Sequence, residues 1–134
     1  MRAKANNTTG VDFIAMKLEM KKIKFISKHN SKSEFKPIKG RLFRADFYLP
    51  EYNCIIEYEG INSAKSGHLT YSGYTKNCEK YNLISLEGYI LLRFTMKNLD
   101  QLDVCIEKLI LAKQKKEINE VFPCHELKEQ SKKL

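Results

Sequence analysis

The chain has 134 residues, 43% of them hydrophobic and 30% charged, which is the size and balance of one globular domain with a single core. No apolar run nears the roughly 18 residues that span a bilayer, and the N-terminal MRAKANNTTG has no apolar signal stretch, so no membrane association and a cytoplasmic setting are expected. The net charge of +8 is unevenly placed, since residues 1–40 hold ten Lys or Arg against three acids, a balance that suits a polyanion such as DNA, with a solubilising face as the alternative.

Residues 1–9 read as a flexible basic arm, 10–118 as the folded domain and 119–134 as a charged C-terminal tail. After Gly10, the residues Phe13, Met16, Met20 and Ile23 recur at helical spacing and predict a first helix of about four turns, with Lys17, Lys21, Lys22 and Lys24 on its flanks. Asp12 and Glu19 are its only acids, and nothing favours either for a role. Residues 34–38 suit a short edge strand, because Pro37 is tolerated only at an edge or a strand end. From Leu42 to Leu49 the chain alternates, with Phe43, Ala45, Phe47 and Leu49 toward a core and Arg44, Asp46 and Tyr48 the other way. Residues 50–53 break the run as a turn, and a second strand covers 54–59, placing Ile55, Glu57 and Glu59 on one face.

Past Glu59, residues 60–73 are rich in Gly and Ser and form a long loop, of the kind that is usually functional or mobile. A helix follows over about 75–87, with Cys78, Tyr81, Leu83 or Ile84, and Leu86 inward, ended by Gly88. The apolar run 89–94 predicts a strand buried on both faces, and a right-handed crossover makes it parallel to 54–59. Asn98, with Gln101 three residues on, resembles a capping box opening a last helix whose inward stripe is Leu99, Leu102, Ile106, Leu109 and Ile110. The four cysteines, Cys54, Cys78, Cys105 and Cys124, form no CxxC pair and are expected reduced. His29, His68 and His125 make no metal-spaced pair, and Cys124-His125 is a weak zinc signal.

A four-residue turn sets the hairpin register so that Leu49 pairs with Cys54 and Asp46 faces Glu57. Opposed residues have Cβ atoms roughly 4.5–5.5 Å apart, and like charges there are destabilising. A hard divalent cation would relieve that repulsion. The alternative is a solvated charged face, with Arg44 opposite Glu59 as its salt bridge.

Several short motifs then agree in order: Asp46-Phe47, Glu57-Tyr58-Glu59-Gly60, His68, GYTKNCEKYN from Gly73 to Asn82, and GYILLRFT from Gly88 to Thr95. Over about residues 34–95 the chain resembles the PD-(D/E)xK nuclease superfamily, most nearly small phage and bacterial endonuclease-like proteins related to the very-short-patch-repair and Holliday-junction-resolvase groups. The resemblance implies a single-domain α/β restriction-endonuclease-like fold, an αβββαβ core whose mixed central sheet is flanked by helices. It departs from the pattern where Glu59 stands in place of the superfamily's lysine, Asn77 in place of an Asp, and Gly67 in place of an Arg.

What the resemblance implies is a Mg2+- or Mn2+-dependent DNA endonuclease, acting on branched, nicked or otherwise structured DNA among its expected substrates. Asp46 and Glu57 would be direct metal ligands, Glu59 a third ligand or the holder of a water, and Glu34 an additional ligand or a surface charge. Lys65 or His68 would stand in for the missing lysine at the catalytic centre. Lys21, Lys22, Lys24, Arg44, Lys76 and Lys80 would contact nucleic acid, as would Arg93, although Lys80 reads equally as an exposed helix charge and Tyr81 as core. The rival readings are a catalytically impaired nucleic-acid-binding relative of the same fold and a basic module for an acidic protein. A homodimer stays open.

Overall fold

The computed structural model describes residues 5–29, 34–60 and 70–122, with the backbone alone for 5–9. Among these residues the protein is mixed α/β, with elements in the order α1 (Ala5–Met20), β1 (Ile26–Ser27), β2 (Phe47–Leu49), β3 (Cys54–Tyr58), α2 (Tyr71–Leu86), β4 (Ile90–Phe94) and α3 (Leu102–Val121). The chain divides into two compact units, Met1–Leu102 and Asp103–Leu134. The first holds the sheet; the second holds nearly all of α3. No helix among the described residues is long and apolar enough to cross a membrane.

Helix α1 begins at Ala5, ahead of the expected start, and its phase differs from the prediction. Ile14 and Leu18 are buried, whereas Met16 and Met20 are exposed. The true stripe is Gly10, Ile14 and Leu18 at i, i+4 spacing, and it was hidden because a glycine reads as a break rather than as a contact position. A Cβ on Gly10 would overlap the ring of Tyr58, so only glycine lets helix and ring come this close. The helix ends in a Schellman turn. Lys22 takes the left-handed conformation (φ 56°), its N–H bonds to the Glu19 carbonyl at 3.0 Å, the Ile23 N–H bonds to the Leu18 carbonyl at 3.0 Å, and the Ile23 and Leu18 side chains are both buried.

The sheet runs β1-β2-β3-β4, antiparallel between the first three strands and parallel between β3 and β4, as the crossover rule requires. The hairpin register is the predicted one, with Leu49 against Cys54, Tyr48 against Ile55 and Phe47 against Ile56. The edge strand is not. β1 replaces the strand expected at 34–38, where Phe35 instead accepts a hydrogen bond from the Ala45 N–H at 2.9 Å and Pro37 accepts one from the Tyr89 hydroxyl at 3.1 Å. The chain bends at Asp46, and β2 begins only at Phe47 instead of Leu42. Phe43 and Ala45 therefore join Ile38, Ile55 and Ile84 in a cluster with Tyr48, Tyr81 and Leu91, away from the side that alternation had assigned them.

Helix α2 contributes Ile84 to that cluster, with Tyr81 and Leu83 half-buried, while Cys78 and Leu86 are exposed, contrary to expectation. It starts at Tyr71, where the Thr70 side chain caps it by accepting from the Gly73 N–H at 3.1 Å. Gly88 ends it as predicted, at φ 88° in a second Schellman turn, with Gly88 N–H on Ser85 and Tyr89 N–H on Ile84. Strand β4 is less buried than its apolar sequence suggested, because it occupies a sheet edge: Ile90 and Arg93 are exposed and Leu91 and Leu92 half-buried. Asn98 does not open α3. Its side chain turns back to accept from the Thr95 N–H at 2.6 Å, and a 3-10 turn at Leu99–Gln101 leads into the helix. Of the expected stripe, Leu99, Leu102, Ile106 and Leu109 are buried.

Candidate active site

Register brings the charged residues together. Extending the β1–β2 pairing by one residue sets Lys28 beside Asp46, extending β2–β3 sets Asp46 beside Glu57, and the β3–β4 pairing sets Glu57 beside Arg93. One row across four strands thus reads cation, carboxylate, carboxylate, cation. Asp46 and Glu57 are only 4% and 3% exposed, and Glu59 only 6%, so these acids do not form a solvated charged face. The cluster containing Ile38 and Ile84 covers this side of the sheet, which is why acids at outward positions of the hairpin end up inside.

Each of the two paired carboxylates has one oxygen fixed by the backbone. The Tyr58 N–H donates to Asp46 Oδ2 at 2.8 Å, and the Asp46 N–H donates to Glu57 Oε2 at 3.2 Å. These side chains replace the ladder bonds that the bend at Asp46 removes. The remaining oxygens meet cations. Lys28 Nζ lies 2.7 Å and His29 Nε2 3.3 Å from Asp46 Oδ1, while Lys80 Nζ lies 2.6 Å from Glu57 Oε1. Oε1 receives this ion pair but no hydrogen bond of directed geometry.

The pair shares its ionisation unequally. Burial, the hydrogen bond with Asp46 and the Asp46 charge push Glu57 up to about 8, against the opposing pull of Lys80. Burial also acts to raise Asp46, but the hydrogen bond with Glu57, the Lys28 ammonium and the Tyr58 N–H outweigh it and hold Asp46 below its ordinary value. Of the two, Glu57 is the more readily protonated and Asp46 the more readily ionised.

Glu59 is held differently. Its Oε1 accepts from the Tyr81 hydroxyl and from Arg93 Nε at 3.2 Å, and the Arg93 guanidinium lies over the Tyr81 ring, 3.8 Å from its centroid. Burial and the Glu59 carboxylate push the Tyr81 hydroxyl well above the usual tyrosine range. Among the described residues, no group of three His, Cys, Asp or Glu is gathered so as to hold a metal ion.

The other expected site residues fall as follows. Glu34 pairs with Arg44 at 2.8 Å on the surface, a contact that lowers its pKa through the hydrogen bond from Arg44, so the partner of Arg44 is Glu34 and not Glu59. Lys21, Lys22 and Lys24 are exposed where α1 ends, and Lys76 is exposed on α2. Lys80 is neither an exposed helix charge nor free for phosphate in this state, being 19% exposed and turned onto Glu57. Lys65 and His68, and the Cys124-His125 pair, lie outside the described residues. Sequence reasoning missed Lys28 and His29 because β1 was not recognised; the signal available was the short run Phe25-Ile26 just ahead of them.

Comparison with known proteins finds no matching family model, no significantly similar curated protein and no significantly similar solved structure.

Proposed function

We propose that the protein is a metal-dependent endonuclease of the PD-(D/E)xK type that hydrolyses phosphodiester bonds in DNA, with Asp46 and Glu57 as the ligands of Mg2+ or Mn2+. The observation that carries this reading is that both buried carboxylates are oriented by backbone N–H groups and turn their second oxygens to cations, Asp46 Oδ1 and Glu57 Oε1. Two carboxylates suit Mg2+, which keeps several waters and completes its shell with substrate phosphate rather than needing a protein cage. Held there, the ion supplies Lewis-acid polarisation of the phosphodiester and activation of water.

The chain's own residues do the rest. Glu57, whose carboxyl is held toward its protonated form, would release a proton on holding an ion, and binding is expected to tighten with rising pH. Lys80 brings an ammonium to the carboxylate that a strand lysine at position 59 would otherwise serve. The exposed Lys21, Lys22 and Lys24 supply electrostatic attraction for the DNA backbone. Incubation of labelled linear, nicked and branched DNA with Mg2+, Mn2+ or EDTA tests the reading: cleavage in either metal and none in EDTA is expected, and no cleavage of any substrate in either metal overturns it. One observation favours the second reading, a nucleic-acid-binding relative without turnover: Glu59 is committed to Tyr81 and Arg93, leaving two carboxylates for the ion. DNA binding that is indifferent to metal, with no cleavage, is its signature.

A further inference from the structure

The ammonium groups of Lys28 and Lys80 stand at the two oxygens that the metal reading needs. They lie 2.7 and 2.6 Å from their carboxylate oxygens, at the short end of charge-assisted contacts. Lysine is a compact point charge on a flexible four-carbon stem, unlike the planar, fixed fork of arginine. Both side chains start from secondary structure on different sides of the carboxylate pair, Lys28 directly after β1 and Lys80 within α2. In the same position the Lys80 ammonium lies 5.5 Å from the Phe43 ring centroid and 5.8 Å from that of Tyr81, so the aromatic rings also favour a cation there.

Resting on the proposed metal site, we infer that Lys28 and Lys80 are exchangeable internal counter-ions: they occupy Asp46 Oδ1 and Glu57 Oε1 while no metal is held, and move off to grip the non-bridging oxygens of the scissile phosphodiester once a divalent ion takes those oxygens. A buried carboxylate pair without any cation would be strongly destabilised, so the fold supplies two of its own. The same charges serve the substrate afterwards, since metal and phosphate arrive with opposite signs and the ammonium moves from one anion to another. His29, also on Asp46 Oδ1, is 42% exposed and marks the solvent side of that oxygen.

A purely structural ion pair predicts the reverse of this in a binding measurement, because removing a supporting lysine would loosen the site and weaken the metal. Calorimetric titration with Mn2+ at fixed pH, on the whole protein and on Lys28→Met, Lys80→Met and Lys80→Gln, decides between them. The expected result is Mn2+ binding about tenfold tighter in each variant than in the unaltered protein, from loss of a competing cation. Single-turnover cleavage at saturating Mn2+ is expected to be slower in the same variants, at least tenfold for Lys80→Met. Circular dichroism first confirms that each variant is folded, and Lys80→Gln, which retains a hydrogen-bond donor, serves where Lys80→Met is not. Tighter metal with unimpaired cleavage overturns the transfer to phosphate. Measurable Mn2+ binding that does not tighten in any variant overturns the counter-ion role and leaves the metal site standing, whereas no Mn2+ binding in any protein overturns both.

Discussion

Two carboxylate sites lie two residues apart on one strand face, and they are built from opposite materials. At Asp46 and Glu57 the partners are backbone N–H groups and lysines; at Glu59 they are a tyrosine hydroxyl and a guanidinium stacked on that same ring. In the first arrangement backbone N–H groups fix one oxygen of each carboxylate and a lysine meets the other. The second fixes everything, because Tyr81 and Arg93 hold each other as well as Glu59. The difference teaches that three acids in one sequence pattern divide into a pair held by backbone and lysines and a single acid braced by a tyrosine and an arginine.

The sharpest break of this comparison is loss of activity. Asp46→Asn and Glu57→Gln should each lower metal-dependent cleavage by about 10²–10³-fold or more, while Tyr81→Phe should stay within about threefold of the unaltered rate. A labelled-duplex assay in Mn2+ reads all three. Comparable losses in Tyr81→Phe would move Glu59 into the catalytic set.

The pH dependence of stability comes next. In metal-free protein Glu57 holds a proton from its ordinary 4.5 up to about 8, a range in which the unfolded chain has released it. Stability therefore falls as pH rises through that window, by up to about 1.4 kcal/mol per unit. Asp46, depressed below its ordinary 3.8, acts oppositely and only at lower pH, its stabilisation being lost as pH falls through its folded value. Urea denaturation in EDTA from pH 4.5 to 8 measures the slope, which Glu57→Gln should flatten.

Breaking the brace should cost stability rather than metal affinity. Tyr81→Phe should lower unfolding free energy by about 1.5–3 kcal/mol, the usual value of a hydrogen bond to a charged group. Arg93→Met should cost about as much, the half-exposed guanidinium being partly screened by water. Mn2+ affinity by calorimetry should change little in either. A large loss of affinity would show that the two halves act as one site.

The smallest effects lie outside both halves and serve as controls. Neutralising Lys21, Lys22 and Lys24 together should flatten the dependence of log DNA affinity on log salt, by about 0.9 for every phosphate that these lysines neutralise. Lys22→Gly should raise stability by about 0.5–1 kcal/mol, because glycine takes the left-handed conformation of that helix end without strain.

How much of this was legible beforehand depended on whether the signal was local. Residues 42–59 determined the hairpin register by themselves, since a four-residue turn and period-two alternation leave one pairing, and so the sequence alone set Asp46 against Glu57. Gly88 likewise marked the end of α2, and the order of strand, helix and strand settled the parallel pairing of β3 with β4. Only the tertiary structure decided what those carboxylates face. Lys28 reaches Asp46 through a two-residue strand too short to show a period, Lys80 reaches Glu57 from the helix of the following crossover, and the bend at Asp46 stands next to a hydrogen bond between Ala45 and Phe35. Burial of three acids is likewise a property of what packs above them. Alternation tells which side of a strand a residue takes, but not whether that side meets water or another layer of protein.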